Sequence, residues 1–216
     1  MFLMNRELRG EKDLVAAIGQ PLLAARPLRV ETGAAQAEQL LTHWFSRRRL
    51  LPVVSAASGE GRTRLALDLA RRLAGLGVRT LLVDGDLRAP RLHRAFGLEE
   101  GPGLADFLAG RDLRLAQCGE NLALLSAGRA PADPLEPLAS PRLRPMLCAA
   151  AARFGAIVID TPAAHRGPDL QIFAAHAGGA LVVARHRNGA TAALARLGGS
   201  LRAAAARVVG ILLRQD

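Results

Sequence analysis

Short apolar runs alternate along this chain with longer stretches in which leucine and alanine recur at helical spacing. The runs Pro52–Val54, Thr80–Val83, Leu122–Leu125, Ala156–Asp160, Gly179–Ala184 and Val208–Leu213 lack a polar face, so they predict strands buried on both sides. Between the first two, Thr63–Leu76 sets Leu65, Leu69, Leu73 and Leu76 on one face with Arg71 and Arg72 elsewhere. That spacing predicts an amphipathic helix ended near Gly77. Leu104–Leu108 after Gly-Pro-Gly, and Leu143–Arg153 after the Pro-rich connection at 131–141, predict two further helices. Upstream, Glu31–Phe45 has high helix propensity, and Leu40, Leu41, Trp44 and Phe45 form an apolar stripe in which Trp44 serves packing. Strands alternating with helices predict an α/β fold, a doubly wound, mostly parallel sheet with right-handed crossovers and a single core. Residues 1–30 mix charges with a Pro-interrupted apolar stretch and read as an N-terminal arm, leaving 31–216 as the one domain.

The first strand runs into a distinctive turn. In LPVVSAASGEGRTRL, residues 51–65, an apolar strand gives way to small residues and glycines before a helix starts. Small side chains there let backbone N–H groups approach an anion, which then sits on the helix N-terminus. The pattern nearly meets G-x-x-x-x-G-K-[ST], with Ala56 at the first glycine, Gly61 at the second, Arg62 at the lysine and Thr63 as the hydroxyl for Mg²⁺. Two later strands end in carboxylates, Asp84 and Asp86 after Thr80–Val83, and Asp160 closing Ala156–Asp160. Strand C-termini are where open α/β sheets bind ligands, so these ends are expected to converge with the loop. Mg²⁺ takes few protein ligands plus water and phosphate oxygens, a need that Thr63, Asp86 and Asp160 fit. Asp84 is left as a base toward a hydroxyl acceptor, or as a residue supporting the metal ligands.

Composition changes this picture little. The net charge is +10, yet of the 29 basic residues only Lys12 is lysine, so the arginine excess reads as a solvated surface ahead of a nucleic-acid site. Arg47–Arg49, at a helix end, reads the same way, as dipole compensation. No apolar run has membrane-spanning length and the opening MFLMNRELRGEKD is too charged for a secretory signal, which predicts a cytoplasmic protein. Cys118 and Cys148 stand too far apart for a zinc knuckle or a C-x-x-C pair. His43, His93, His165, His176 and His186 are scattered without metal-ligand spacing.

On SAASGEGRTRLALDLA, LLVDGDLRAPRLHRAFGL, GPGLADFLAG and IVIDTPAA, in this order, the chain resembles the bacterial tyrosine kinases of capsule and exopolysaccharide export. The resemblance is to the soluble kinase form that pairs with a membrane chain-length determinant protein, and spans about Glu31 to the C-terminus. It extends through LLSAGRAPADPLEPLASPRL and DLQIFAAHAGGALVVAR. It implies a P-loop NTPase of the deviant Walker group that includes the MinD/ParA-like ATPases, using ATP and Mg²⁺. It further implies Ser58, Gly59, Glu60, Gly61, Arg62, Thr63 and Arg64 around the phosphates, and Thr63, Asp86 and Asp160 around the metal. Arg62, Asp84 and Asp86 would then serve the transfer itself. A cytoplasmic protein held at the inner membrane through that partner, with the acceptor tyrosine in trans and self-association possible, is the implied setting.

Several positions depart from the family pattern. Arg62 replaces the lysine with a bulkier planar fork. The sequence contains no tyrosine, so tyrosine autophosphorylation is excluded within it. The family's E-x-x-R-x-x-R assembly helix would fall on Glu31, Ala34 and Ala37, without its arginines, and Arg214 stands where an asparagine near the base is expected. These departures motivate a second expectation, a catalytically degenerate regulatory subunit of the same export complex. A partitioning ATPase ranks third, since that group carries a lysine where this loop has Ala57, and a GTPase lacks its N-K-x-D here.

Overall fold

The computed structural model describes residues 33–185 and 190–214, so the arm expected at 1–30, Glu31 and His186 lie outside the described residues. The chain enters through helix α1 (Gly33–Leu40), which continues as a wider π-helical turn over Leu41–Phe45. Strand β1 (Leu50–Ser55) leads through the glycine loop into α2 (Arg62–Gly75), and β2 (Thr80–Asp84) follows. Two short helices, α3 (Leu92–Ala95) and α4 (Leu104–Leu108), precede the strands β3 (Ala116–Gly119) and β4 (Leu122–Leu125). Helices α5 (Leu135–Leu138) and α6 (Leu143–Arg153) then lead to β5 (Ala156–Asp160). The chain closes with α7 (Asp169–Ala177), β6 (Gly179–Arg185), α8 (Ala190–Ala203) and β7 (Arg207–Arg214).

The strands form one sheet in the order β3-β4-β2-β5-β1-β6-β7. Every pairing is parallel except β3 with β4. Because side chains alternate across a strand, each strand feeds two cores. Leu51, Val53, Leu82 and Val158 pack against α1 and α2, with Leu69, Leu73, Trp44 and Phe45. On the other face Leu81, Val83, Ile157 and Ile159 meet α4, α6 and Phe173, while Val54, Val182 and Val208 meet α7 and α8. This is the doubly wound, mostly parallel α/β sheet expected from the alternation of elements.

The expected packing role of Trp44 holds. It is buried, and its indole N–H donates to the Leu50 carbonyl at 2.9 Å, tying α1 to the start of β1. Arg48 donates to the Ala177 carbonyl at the end of α7 (2.9 Å) and stacks over Trp44, so it bonds a helix C-terminus while covering the indole.

Two details differ from expectation. Leu76 is 45% exposed, because α2 ends at Gly75 and the buried stripe runs instead through Ala66, Leu69, Ala70 and Leu73. The antiparallel edge strand β3 is additional. Its AQCG sequence has no β-branched residue, and a tight return through Glu120 and Asn121 is what pairs it with β4.

Candidate functional site

The strand order determines which ends meet. Strand β5 lies between β1 and β2, in register Val53↔Asp160 on one side and Asp84↔Asp160 on the other. All three run parallel, so the glycine loop after β1, the Asp84-Gly85-Asp86 turn after β2 and Asp160 open on one sheet edge. The turn is drawn tightly onto β5: the Gly85 N–H donates to the Asp160 carbonyl at 2.8 Å. A Cβ at Gly85 would lie 2.7 Å from that carbonyl and 2.9 Å from the Phe173 ring, so no side chain fits between the two carboxylates' backbones.

The loop itself is shaped by its own polar groups. Gly59 and Gly61 take φ of +79° and +90°, a conformation that favours glycine, and α2 starts immediately after. The Ala57 N–H donates to Glu60 Oε2 (3.1 Å) and Ser55 Oγ donates to the Ala57 carbonyl (2.8 Å). Glu60 is thereby buried inside the loop, whereas Ser58 and Gly59 face solvent.

Arg62 is placed differently from a phosphate-facing lysine. Its side chain turns inward and is only 8% exposed. Nε donates to the Thr161 carbonyl at 2.8 Å, and one terminal nitrogen donates to Ser55 Oγ (2.5 Å) and the Ala57 carbonyl (3.3 Å). The other terminal nitrogen lies 3.8 Å from Asp86 Oδ2. Burial lowers its pKa from the ordinary arginine value, and the charges of Asp160, Asp86 and Glu60 oppose that shift. The planar fork makes this possible, since its donors are spread over three nitrogens and reach separated acceptors, whereas a lysine ammonium offers its three donors from a single atom.

Of the carboxylates, Asp160 is 1% exposed and its Oδ1 has no hydrogen-bond partner, and the nearby Thr63 hydroxyl favours its charged form. Burial pushes its pKa up to about 7. Asp84 is buried as well. Its Oδ2 accepts the N–H groups of Arg91 (3.1 Å) and Leu92 (3.0 Å) at the start of α3, and its Oδ1 is unpartnered. Burial raises its pKa to about 6 against the lowering effect of those N–H groups. Asp86 Oδ1 accepts from the N–H of Arg88 (3.2 Å) and Ala89 (3.1 Å), which fixes the turn and directs Oδ2 toward Arg62.

Thus Glu60, Arg62, Thr63, Asp84, Asp86 and Asp160 come together. Arg64 does not join them: it points to solvent and pairs with Asp68 one turn along α2, at 3.6 Å. Ser55 and Thr161 are additional members that pattern reading left out. Both directly flank a motif residue, Ser55 as the last residue of β1 and Thr161 next to Asp160, and Thr161 Oγ1 donates back to the Val53 carbonyl (2.8 Å).

The donor set fits a divalent cation held jointly with phosphate oxygens. Mg²⁺ relies on few protein ligands, and a hydroxyl with two carboxylates, Thr63 with Asp86 and Asp160, is a set of that kind. The unpartnered Asp160 Oδ1 beside the Thr63 hydroxyl is the strongest sign, since a buried carboxylate oxygen without a partner is costly unless something binds it.

The sheet order and the glycine loop define an open, mostly parallel α/β nucleotide-binding architecture, and its likeness to solved MinD structures places it among the P-loop NTPase folds of the deviant Walker group. The septum site-determining protein MinD of Pyrococcus horikoshii, solved with Mg-ADP, superposes with a TM-score of 0.62 at 26% identity over 76% of this chain and 69% of that one. Within that class the chain is a relative of the bacterial tyrosine kinases. It is 34% identical over 124 residues to the tyrosine-protein kinase YwqD of Bacillus subtilis, which covers 56% of this chain and 52% of YwqD. It is 29% identical over 163 residues to the tyrosine-protein kinase Wzc of Salmonella typhi, 71% of this chain and 22% of Wzc. The VpsO kinase domain superposes with a TM-score of 0.74 at 26% identity, over 95% of this chain and 96% of that domain. No family model matches the chain. The chain spans about half the length of the shorter curated relatives it matches, and a quarter or less of the longer ones.

Proposed function

We propose that the chain is an ATP-binding homologue of protein-tyrosine kinases. In this reading it regulates exopolysaccharide polymerisation and export with a membrane chain-length determinant protein. The observation that carries the reading is the convergence of Thr63, Asp84, Asp86 and Asp160 at adjoining strand ends, with an unpartnered carboxylate oxygen beside the Thr63 hydroxyl. Its relatives named as tyrosine kinases supply the reaction class.

In this account the exposed Ser58-Gly59 stretch and the first N–H groups of α2 receive the phosphates. Thr63, Asp86 and Asp160 would hold Mg²⁺, which supplies charge compensation at the phosphate oxygens when bound. Asp84, with a pKa near 6 and a free Oδ1, accepts the hydroxyl proton of an acceptor tyrosine as its oxygen bonds the γ-phosphorus and the bond to ADP breaks. The sequence holds no tyrosine, so in this reading the acceptor tyrosine lies outside it, and association with a membrane-bound partner would bring the chain to the inner membrane face.

A second reading, a catalytically degenerate regulatory subunit of that complex, is favoured by one observation. Arg62 uses its donors on Thr161, Ser55 and Ala57 instead of leaving them to a phosphate. Incubation with Mg-ATP labelled at the γ-phosphate and the cytoplasmic segments of the chain-length determinant separates the readings. Label on a partner tyrosine, lost in Asp160→Ala, supports the kinase. The absence of transfer, with or without saturable ATP binding, supports the regulatory subunit, which label on a partner tyrosine overturns, and the absence of both binding and transfer overturns the kinase.

A further inference from the structure

The guanidinium of Arg62 occupies an unusual position for the residue that opens α2. It is nearly enclosed, and its neighbours are two backbone carbonyls, one hydroxyl and one carboxylate: Thr161, Ala57, Ser55 and Asp86. Each of these belongs to the phosphate loop or to the ends of β2 and β5. The guanidinium therefore ties together the elements that would have to hold nucleotide and metal. Asp160 and Glu60 add their negative charge around it. A cation surrounded by these carboxylates does electrostatically what a divalent metal would do there. It offsets charge that burial makes unfavourable.

We propose that Arg62 is the resident cation of this site: its guanidinium holds Asp86 and the loop in the nucleotide-free protein and competes with a divalent metal for the carboxylates. Metal then enters only together with nucleotide, whose phosphates draw the guanidinium away from Asp86 and free that carboxylate for the metal. This rests on the nucleotide-site reading above and adds an order of events to it. The structural requirement is a side chain long enough to reach past the loop and branched enough to bond Ser55, Thr161 and Asp86 together, which arginine meets and lysine does not. It also gives the Ser55 hydroxyl and the Thr161 carbonyl a common partner. The inward-turned Glu60 belongs to the same arrangement, since its Oε2 holds the Ala57 N–H whose residue's carbonyl accepts from Arg62.

Mn²⁺ binding followed by electron paramagnetic resonance, with and without ADP, tests the proposal on the natural chain, Arg62→Gln and Arg62→Lys, each checked for folding by circular dichroism. The natural chain should leave Mn²⁺ free without ADP and bind it once ADP is added. Arg62→Gln should bind Mn²⁺ alone on the order of tenfold tighter than the natural chain, because a unit charge next to the carboxylates is gone. Arg62→Lys keeps the charge but cannot span the same acceptors, so it should fall between them and serves as the test if Arg62→Gln does not fold. Equal Mn²⁺ binding by the natural chain and the variants without ADP overturns the resident-cation role and leaves the nucleotide site intact. So does ADP-dependent binding in the natural chain with no metal-alone binding in either variant. No Mn²⁺ binding by any chain even with ADP overturns the nucleotide-site reading, and this proposal with it.

Discussion

Two regions of this molecule bury an aspartate beside a glycine turn, and they solve the problem in opposite ways. Asp106, in α4, accepts the Gly103 N–H (3.0 Å) and the Arg129 N–H (3.2 Å), and pairs with Arg111. Burial alone would raise its pKa, but those hydrogen bonds and the Arg111 charge outweigh it and bring it below the ordinary value. Asp160 and Asp84, at the strand ends, each keep one oxygen unpartnered, and burial pushes them up to about 7 and about 6. A carboxylate whose acceptors are filled by its own chain is a structural clamp. One held in place with an oxygen to spare is prepared for something outside the chain. The comparison thus separates a fold-stabilising aspartate from candidate binding aspartates without reference to any relative.

The sharpest way to break the contrast is to neutralise each aspartate in turn. Asp106→Ala leaves the buried Gly103 and Arg129 N–H groups without an acceptor and should cost about 2–4 kcal/mol, read by urea denaturation. Nucleotide affinity of the folded fraction should stay unchanged. Asp160→Asn should do the reverse. It removes a buried charge lacking full compensation, so the nucleotide-free protein at pH 8 should gain ~1 kcal/mol or more, while Mg-ATP binding disappears.

pH sharpens the same comparison. Between about pH 4 and 7 the folded chain holds protons on Asp84 and Asp160 that the unfolded chain has released, so unfolding releases protons and stability falls as pH rises through that window. The melting temperature of the nucleotide-free protein should therefore decline from pH 5 to pH 7.5, and decline less in Asp160→Asn. An unchanged slope in that variant would remove Asp160 as its source. Gly85→Ala should follow at about 1–3 kcal/mol, because the added methyl meets the Asp160 carbonyl, which denaturation would again report. Smallest of all, Leu76→Ala should change stability by less than about 0.5 kcal/mol, against about 2–5 for Leu73→Ala in the same helix.

Much of this arrangement was legible in the sequence because it follows from periodicity. The fully apolar runs gave buried parallel strands, and carboxylates at the ends of two of them had to emerge on the edge where the glycine loop emerges. What the pattern could not supply was side-chain direction. Arg62 at the start of a helix can point out to a phosphate or back beneath the loop. The choice depends on acceptors contributed by Ser55, Ala57 and Thr161, the last of them from a distant strand. Arg64, two positions on, lies on the other side of the helix and pairs with Asp68 instead. The edge strand β3 escaped for a related reason, since its pairing with β4 is set by the tight return and not by its own residues. Leu76 fits the leucine stripe in a helical projection, but the helix ends before it.

The central claim is that Asp160 belongs to a nucleotide–metal site and Asp106 to the scaffold. Calorimetric titration of Mg-ATP into the natural chain, Asp160→Asn and Asp106→Asn tests this most directly. The account predicts saturable binding by the natural chain, retained in folded Asp106→Asn and lost in Asp160→Asn. Binding that survives in Asp160→Asn, or none in the natural chain, would contradict it.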